Sequence, residues 1–292
     1  MRNAFIEELV ALAAAHEHIA LIVGDLGYGV IEPFADRFPD RFINAGIAEQ
    51  NMTGLAAGMA SEGYHVFTYS IANFPTFRCA EQIRNDVDYH RLPVTVVAVG
   101  GGLAYGALGY SHHAVQDYAL MRTMPGMTIA APGDPMEVRA CMRWLVANPG
   151  PSYLRLGKAG EPVYHEAVPE VAPGEWVMVR DGDEGEGRAL LSTGAALGAA
   201  LDRADGAPVY SMPLWGMASK SAQPERVARH ARLETLEDHL VDGGFGSWML
   251  EAVAGQGNLA GRIAPIALDS KVCGMVAGQA VLNLAGGLVR GA

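Results

Sequence analysis

The segment "NAGIAEQNMTGLAAGMA", which starts at Asn44, places one carboxylate, Glu49, at the head of a run of very small residues. An acid in a first helical turn is favoured by the helix dipole at about 0.3–1 kcal/mol, so position alone gives Glu49 a structural reading. Few polar residues surround it, however, which leaves contact with a ligand as the alternative reading. Downstream, "SIANFPTFR" offers Phe74 and Phe77, whose three-residue spacing puts them on one helical face. "GGGLAYGALGYSHHAVQD" then supplies a glycine-rich loop with His112 and His113. Such a loop lets backbone approach a ligand closely, and an imidazole titrates near working pH. Adjacent histidines diverge and no third ligand is near, so the pair does not read as a metal site. The loop glycines lack the dinucleotide pattern G-x-G-x-x-G.

These residues sit on alternating strand-like and helix-like segments. "IALIVGD", "RFINAG", "HVFTYS", "LPVTVVAVG", "MTIAAP" and "PSYLRLG" read as strands. Between them lie the helical patterns "VIEPFADRF", "PTFRCAEQIRNDVDYH" and "DPMEVRACMRWLVAN", with a shorter one near "VQDYALMRTM". Short apolar runs divided by helices predict a parallel sheet covered on both faces, and Glu49 follows the carboxyl end of one of its strands, where ligands collect. Gly54, Ala56, Ala57, Gly58 and Ala60 suit a helix pressed closely against a sheet or a second subunit, since each Gly costs about 1 kcal/mol relative to Ala.

Composition shifts after Lys158 to a Pro-, Gly- and acid-rich stretch, residues 159–186, that reads as a surface linker with a short strand at "WVMV". A second α/β unit follows, with strands at "RALLSTG", "PVYSMP", "ETLEDH" and "RIAPIAL", helices at "AALGAALDRA" and "SWMLEAVAG", and a helical C-terminal stretch. The expected fold is therefore α/β with two doubly wound domains, 1–158 and 187–292. A formal net charge of −11 argues against nucleic acid or an anionic membrane as the main partner. No apolar run is long enough to span a bilayer, and "MRNAFIEELV" fits neither a secretion signal nor a transit peptide. Three isolated cysteines, Cys79, Cys141 and Cys273, form no disulfide framework, which points to a reducing cytoplasm.

Four stretches, "INAGIAEQNMTGLAAGMASEG", "EQIRNDVDYHRLPV", "GYSHHAVQDYALMRTMPGMTIAAPGDP" and "TLEDHLVDGGFGS", together resemble the C-terminal half of transketolases, and more closely the small subunit of a split transketolase. The resemblance covers nearly the whole chain. It implies a thiamine diphosphate pyrimidine-binding domain followed by the family's C-terminal domain, which serves mainly assembly. The family's catalytic glutamate falls on Glu49, which would hydrogen-bond the N1' nitrogen of the aminopyrimidine; a carboxyl shielded from water resists ionisation and so can share a proton there. The cofactor then acts as electron sink for a carbanion.

The same resemblance makes Phe74 and Phe77 candidates for the aminopyrimidine wall, puts Ile71 where the first pocket aromatic would stand, and assigns His112 to substrate hydroxyls, as a catalytic or hydroxyl-binding group. His113 occupies a position usually held by glutamine. Lys158 aligns with a phosphate-binding arginine and Arg2 with an N-terminal one, so a terminal phosphate or carboxylate on the substrate is expected; lysine would bind it as a point charge. Leu108 and Gly100 replace an acid and a histidine that engage donor hydroxyls, which suggests a less hydroxylated donor such as a 2-oxo acid. No "GDG…N" motif is present, so the diphosphate and its Mg2+ are expected to bind through a larger partner subunit in an α2β2 assembly. Two rival readings are the beta subunit of a 2-oxo acid dehydrogenase decarboxylase component and a non-catalytic assembly subunit. The loop around His112 favours the first reading over the former rival, and the pairing of Glu49 with Phe74 favours it over the latter.

Overall fold

A computed structural model describes residues 1–183 and 187–290; residues 184–186, the end of the expected linker, and 291–292, the end of the expected C-terminal domain, lie outside the described residues. In chain order the strands are β1 (Ile19–Val23), β2 (Phe42–Asn44), β3 (His65–Ile71), β4 (Val94–Val99), β5 (Thr128–Ala130), β6 (Ser152–Leu156), β7 (Val177–Arg180), β8 (Arg188–Ser192), β9 (Val209–Ser211), β10 (Leu214–Gly216), β11 (Arg232–Leu240) and β12 (Ile263–Leu268). They form one sheet in the order β10-β5-β6-β4-β3-β1-β2 and another in the order β12-β11-β8-β9-β7. Pairing is parallel except at one edge of each sheet, where β10 meets β5 and β7 meets β9 antiparallel. Strands β1, β4 and β6 are buried along their whole length, which explains their continuous apolar runs.

Local chemistry sets the helices that support the first sheet. Helix Pro135–Ala147 has Pro at its first position and Asp134 as N-cap, whose carboxylate accepts from Glu137 N at 2.8 Å. It packs against helix Arg2–Ala15, and Glu8 of the latter bonds both Arg139 and Arg143. Helix Glu49–Ser61 lies on β3 through Met52, Thr53, Ala56, Ala57 and Ala60, while its Gly54 and Gly58 face open space.

Three departures from the sequence expectations have local causes. Strand β10 went unread because Pro213 interrupts "SMPLWGM" and three residues carry no period; its partner, β5, is remote in sequence. The expected single helix over "PTFRCAEQIRNDVDYH" is broken into Asn73–Phe77, Ala80–Gln82 and a π-helical turn at Ile83–Asp88. The C-terminal stretch holds a 3-10 turn, Ser270–Gly274, before the α-helix Gln279–Ala285. All three cysteines are free. Among the described residues no helix is long and apolar enough to cross a membrane.

The two sheets are joined through a buried polar knot. Arg155 of β6 donates from Nε to Asp117 at 2.7 Å and from Nη1 to Asp238 of β11 at 2.5 Å. Its Nη2 reaches the carbonyl of Ala114 at 2.7 Å, at the end of the glycine-rich loop. The loop is closed by an antiparallel bridge between Gly102 and Ala114.

Candidate active site

The residues singled out by spacing and by the resemblance assemble into two groups beyond the carboxyl ends of the parallel strands of the first sheet, the usual ligand position in open α/β sheets. The first is built on Glu49. The chain leaves β2 at Asn44, whose Oδ1 accepts from Gly46 N at 3.0 Å and from Asp25 N at 3.1 Å. Gly46, at φ +73°, then turns the backbone into helix Glu49–Ser61. Among the described residues no side chain caps that helix, and the Glu49 carboxylate is the anionic group of its first turn. Glu49 is only 4% exposed. Its Oε2 accepts from Arg78 Nη1 at 3.1 Å, whereas its buried Oε1 has no hydrogen-bond partner among the described residues. A Cβ on Gly24 would lie 3.8 Å from Glu49 Cγ and 3.6 Å from Ser70 Oγ, so the backbone after β1 closes on the acid. The cleft of about 550 Å³ at this point is lined by Ile47, Ala48, Glu49, Gln50, Asn51 and Arg78.

Phe74 lies in the short helix after β3, next to Glu49's partner. The Arg78 guanidinium carbon sits 4.2 Å from the Phe74 ring centroid, and His112 meets the same ring edge-on at 5.3 Å. His112, Phe74, Arg78 and Glu49 thus form one continuous series of contacts. Phe77 is 49% exposed and lines, with Phe74, Tyr110 and Gln116, an adjoining groove of about 330 Å³. Ile71 ends β3 and is half-buried. Arg78 was not foreseen: an arginine after "FPTF" reads as a solvated cation. Its four-residue spacing from Phe74, one helical turn, was the available signal.

The loop that carries the histidines is pinned from the Phe74 helix, since Asn73 Nδ2 donates to the carbonyls of Ser111 at 3.2 Å and His113 at 2.8 Å. His112 shares a 3.0 Å hydrogen bond with Ser111 Oγ through Nδ1. His113 turns inward: it is buried, its Nε2 lies 3.3 Å from the Gly106 carbonyl, and in this conformation it braces the loop instead of lining the cleft.

The second group pairs Arg2 with Lys158 by a backbone bond, Arg2 N to Lys158 O at 3.1 Å. The Lys158 ammonium stands 5.5 Å from the Tyr105 ring centroid, and the buried Nε of Arg2 has no partner among the described residues. Tyr105 explains Gly100: that glycine has φ +83°, and a Cβ on it would lie 2.1 Å from the tyrosine ring.

The pyrimidine-binding domain of transketolase matches residues 1–160. A putative transketolase C-terminal section of Methanocaldococcus jannaschii is 33% identical, covering 88% of this chain and 83% of the relative. A subunit of the apulose-4-phosphate transketolase of Phocaeicola vulgatus is 32% identical over 87% of this chain and 83% of its own length. A solved split-gene transketolase, described as an inactive beta4 tetramer, superposes with a TM-score of 0.85 at 29% identity, covering 99% of this chain and 93% of that one. The transketolase of Leishmania mexicana shares the fold at TM-score 0.78 and 18% identity, with 99% of this chain aligned to 43% of the other. This chain belongs to the transketolase family, as a small subunit of the split type that carries the pyrimidine-binding domain.

Proposed function

We propose that the chain supplies the pyrimidine half of a two-subunit, thiamine diphosphate-dependent enzyme that moves a two-carbon unit to an aldehyde acceptor. A larger subunit holds the diphosphate and Mg2+, and the assembly is α2β2. The observation that carries this reading is the Glu49 carboxyl: it is buried at a helix N-terminus and opens into a cleft, with Oε1 left without a partner. An acceptor in that setting fits a ring nitrogen that must receive or share a proton. When bound, thiamine diphosphate supplies the reactive thiazolium carbon and the electron sink for the transferred unit. Glu49 holds the proton at the ring nitrogen, and Phe74 with Ile71 offers the apolar wall. Phe77 extends that wall toward solvent. His112 orients substrate hydroxyls, while Lys158 and Arg2 receive an anionic end of the substrate. One relative is named as a single subunit of its transketolase and another as the product of a split gene, which supports the requirement for a partner.

The test is retention of cofactor. Native mass is measured for the chain alone and co-expressed with the larger subunit, each with and without thiamine diphosphate and Mg2+. Retention in the mixed assembly only, lost in Glu49→Ala, is the expected result; retention by the chain alone refutes the division of the site between subunits.

A further inference from the structure

Arg78 touches both groups assigned above to the aminopyrimidine. Its Nη1 donates to Glu49 Oε2 at 3.1 Å, and its guanidinium carbon lies 4.2 Å from the centroid of the Phe74 ring. A guanidinium is planar, carries in-plane N–H donors and stacks through its faces. An aminopyrimidine placed here asks for the same two things, an oxygen of Glu49 in its plane and an aromatic face beside it. We propose that Arg78 is an intramolecular placeholder for the cofactor's aminopyrimidine, filling the slot between Glu49 and Phe74 in the chain alone and leaving it on loading. The proposal rests on the site reading given above.

The geometry explains why such a group is both needed and displaceable. Glu49 is 4% exposed and Arg78 50% exposed. A carboxylate buried that deeply is costly without a counter-charge. The arginine, in contrast, hangs on a flexible stem at the end of a short helix, and an ion pair open to water on one side contributes little net stability. It engages only one of the two Glu49 oxygens, so it satisfies the acid less completely than a ligand reaching Oε1.

Arg78→Gln and Arg78→Lys are made in the full chain and assembled with the larger subunit. Thiamine diphosphate is titrated at saturating Mg2+, with intrinsic fluorescence reading the equilibrium and the association rate. Arg78→Gln removes the competitor and lowers the apparent Kd about 3- to 10-fold with faster association; Arg78→Lys, which keeps the charge without the planar face, falls between it and the wild type. In the full chain alone, thiamine followed by saturation-transfer NMR gives the same order. An unchanged or raised Kd in Arg78→Gln overturns the proposal, a raised one meaning that the arginine holds the carboxylate for the ring. Glu49→Ala in the same titration separates the two claims. If it leaves the Kd unchanged, the site reading itself fails. If it raises the Kd while Arg78→Gln fails to lower it, only the placeholder falls.

Discussion

At the scale of single residues, the proposed site is built on one acid whose two oxygens are in different situations. Oε2 answers Arg78, and Oε1 is buried without a partner. Glu49→Gln keeps the shape and an acceptor oxygen but cannot share a proton. Turnover of the loaded assembly should fall by about 10²–10⁴-fold, the usual worth of a positioned acid or base, with the far-ultraviolet circular dichroism unchanged. A steady-state rate within a factor of a few of wild type would remove Glu49 from the chemistry. Glu49, Phe74 and His112 can be singled out in the sequence because each belongs to a local pattern: a helix start, an aromatic pair, a glycine-rich loop. Arg78 was hidden because its role comes from a contact with a residue 29 positions away, and nothing in "FPTFR" records that contact. His113 is the converse case. Adjacent histidines look equivalent in a sequence, yet in the fold one ring meets Phe74 and the other turns under the loop to the Gly106 carbonyl.

At the scale of elements, the strands that lead to the site are tied by side chains as well as by their ladders. His65 opens β3 and bonds Thr95 of β4 through Nε2 at 2.9 Å, while Thr95 in turn bonds Ser152 of β6 at 2.8 Å. The imidazole also stacks on Phe67, ring centroids 4.8 Å apart. Burial, with a smaller contribution from His18, pushes the His65 pKa from an ordinary 6.5 down to about 4. The folded state therefore refuses a proton that the unfolded chain accepts. Stability from this group is present above pH 6.5 and is lost as the pH falls toward 4, at up to about 1.4 kcal/mol per pH unit. His239, buried within β11 and likewise lowered to about 4, adds to the same loss. His65→Gln should cost about 1–2 kcal/mol at pH 7, through the disturbed hydrogen bond, and should flatten the acid limb, leaving the share owed to His239. Urea unfolding at several pH values between 6.5 and 4 measures both effects; equal acid slopes in the two proteins would show that His65 does not titrate in this window. Such a ladder was not legible beforehand, because it needs the register of three strands. The strands themselves were, through their apolar runs, except β10, where three residues after a proline gave no pattern.

At the scale of the whole molecule, the second sheet acts on the site through Arg155. This arginine stands in β6, bonds Asp117 at the start of the short helix Asp117–Met121 that follows the His112 loop, crosses to Asp238 of β11, and reaches the Ala114 carbonyl that closes that loop. Gly102 is shaped by the same junction, since a Cβ there would lie 2.2 Å from an Asp238 oxygen. The resemblance gave the C-terminal domain an assembly role. The structure adds that its β11 side chains fix one wall of the loop that presents His112. Burying one cation among two carboxylates yields little net stability, but removing the cation alone leaves both acids uncompensated. Arg155→Met should therefore cost about 3–5 kcal/mol in urea unfolding, and the triple change with Asp117→Leu and Asp238→Leu should recover much of that loss. Cofactor affinity provides the functional readout. On the site reading proposed above it depends on Glu49 and Phe74, so the triple variant should keep the wild-type Kd for thiamine diphosphate in the assembly. Its KM should rise, because the loop carrying His112 has lost its brace at Ala114. If Arg155→Met costs less than about 1 kcal/mol, the knot does not hold the two sheets together. If the triple variant recovers stability with an unchanged KM, the second sheet supports the fold without shaping the substrate loop.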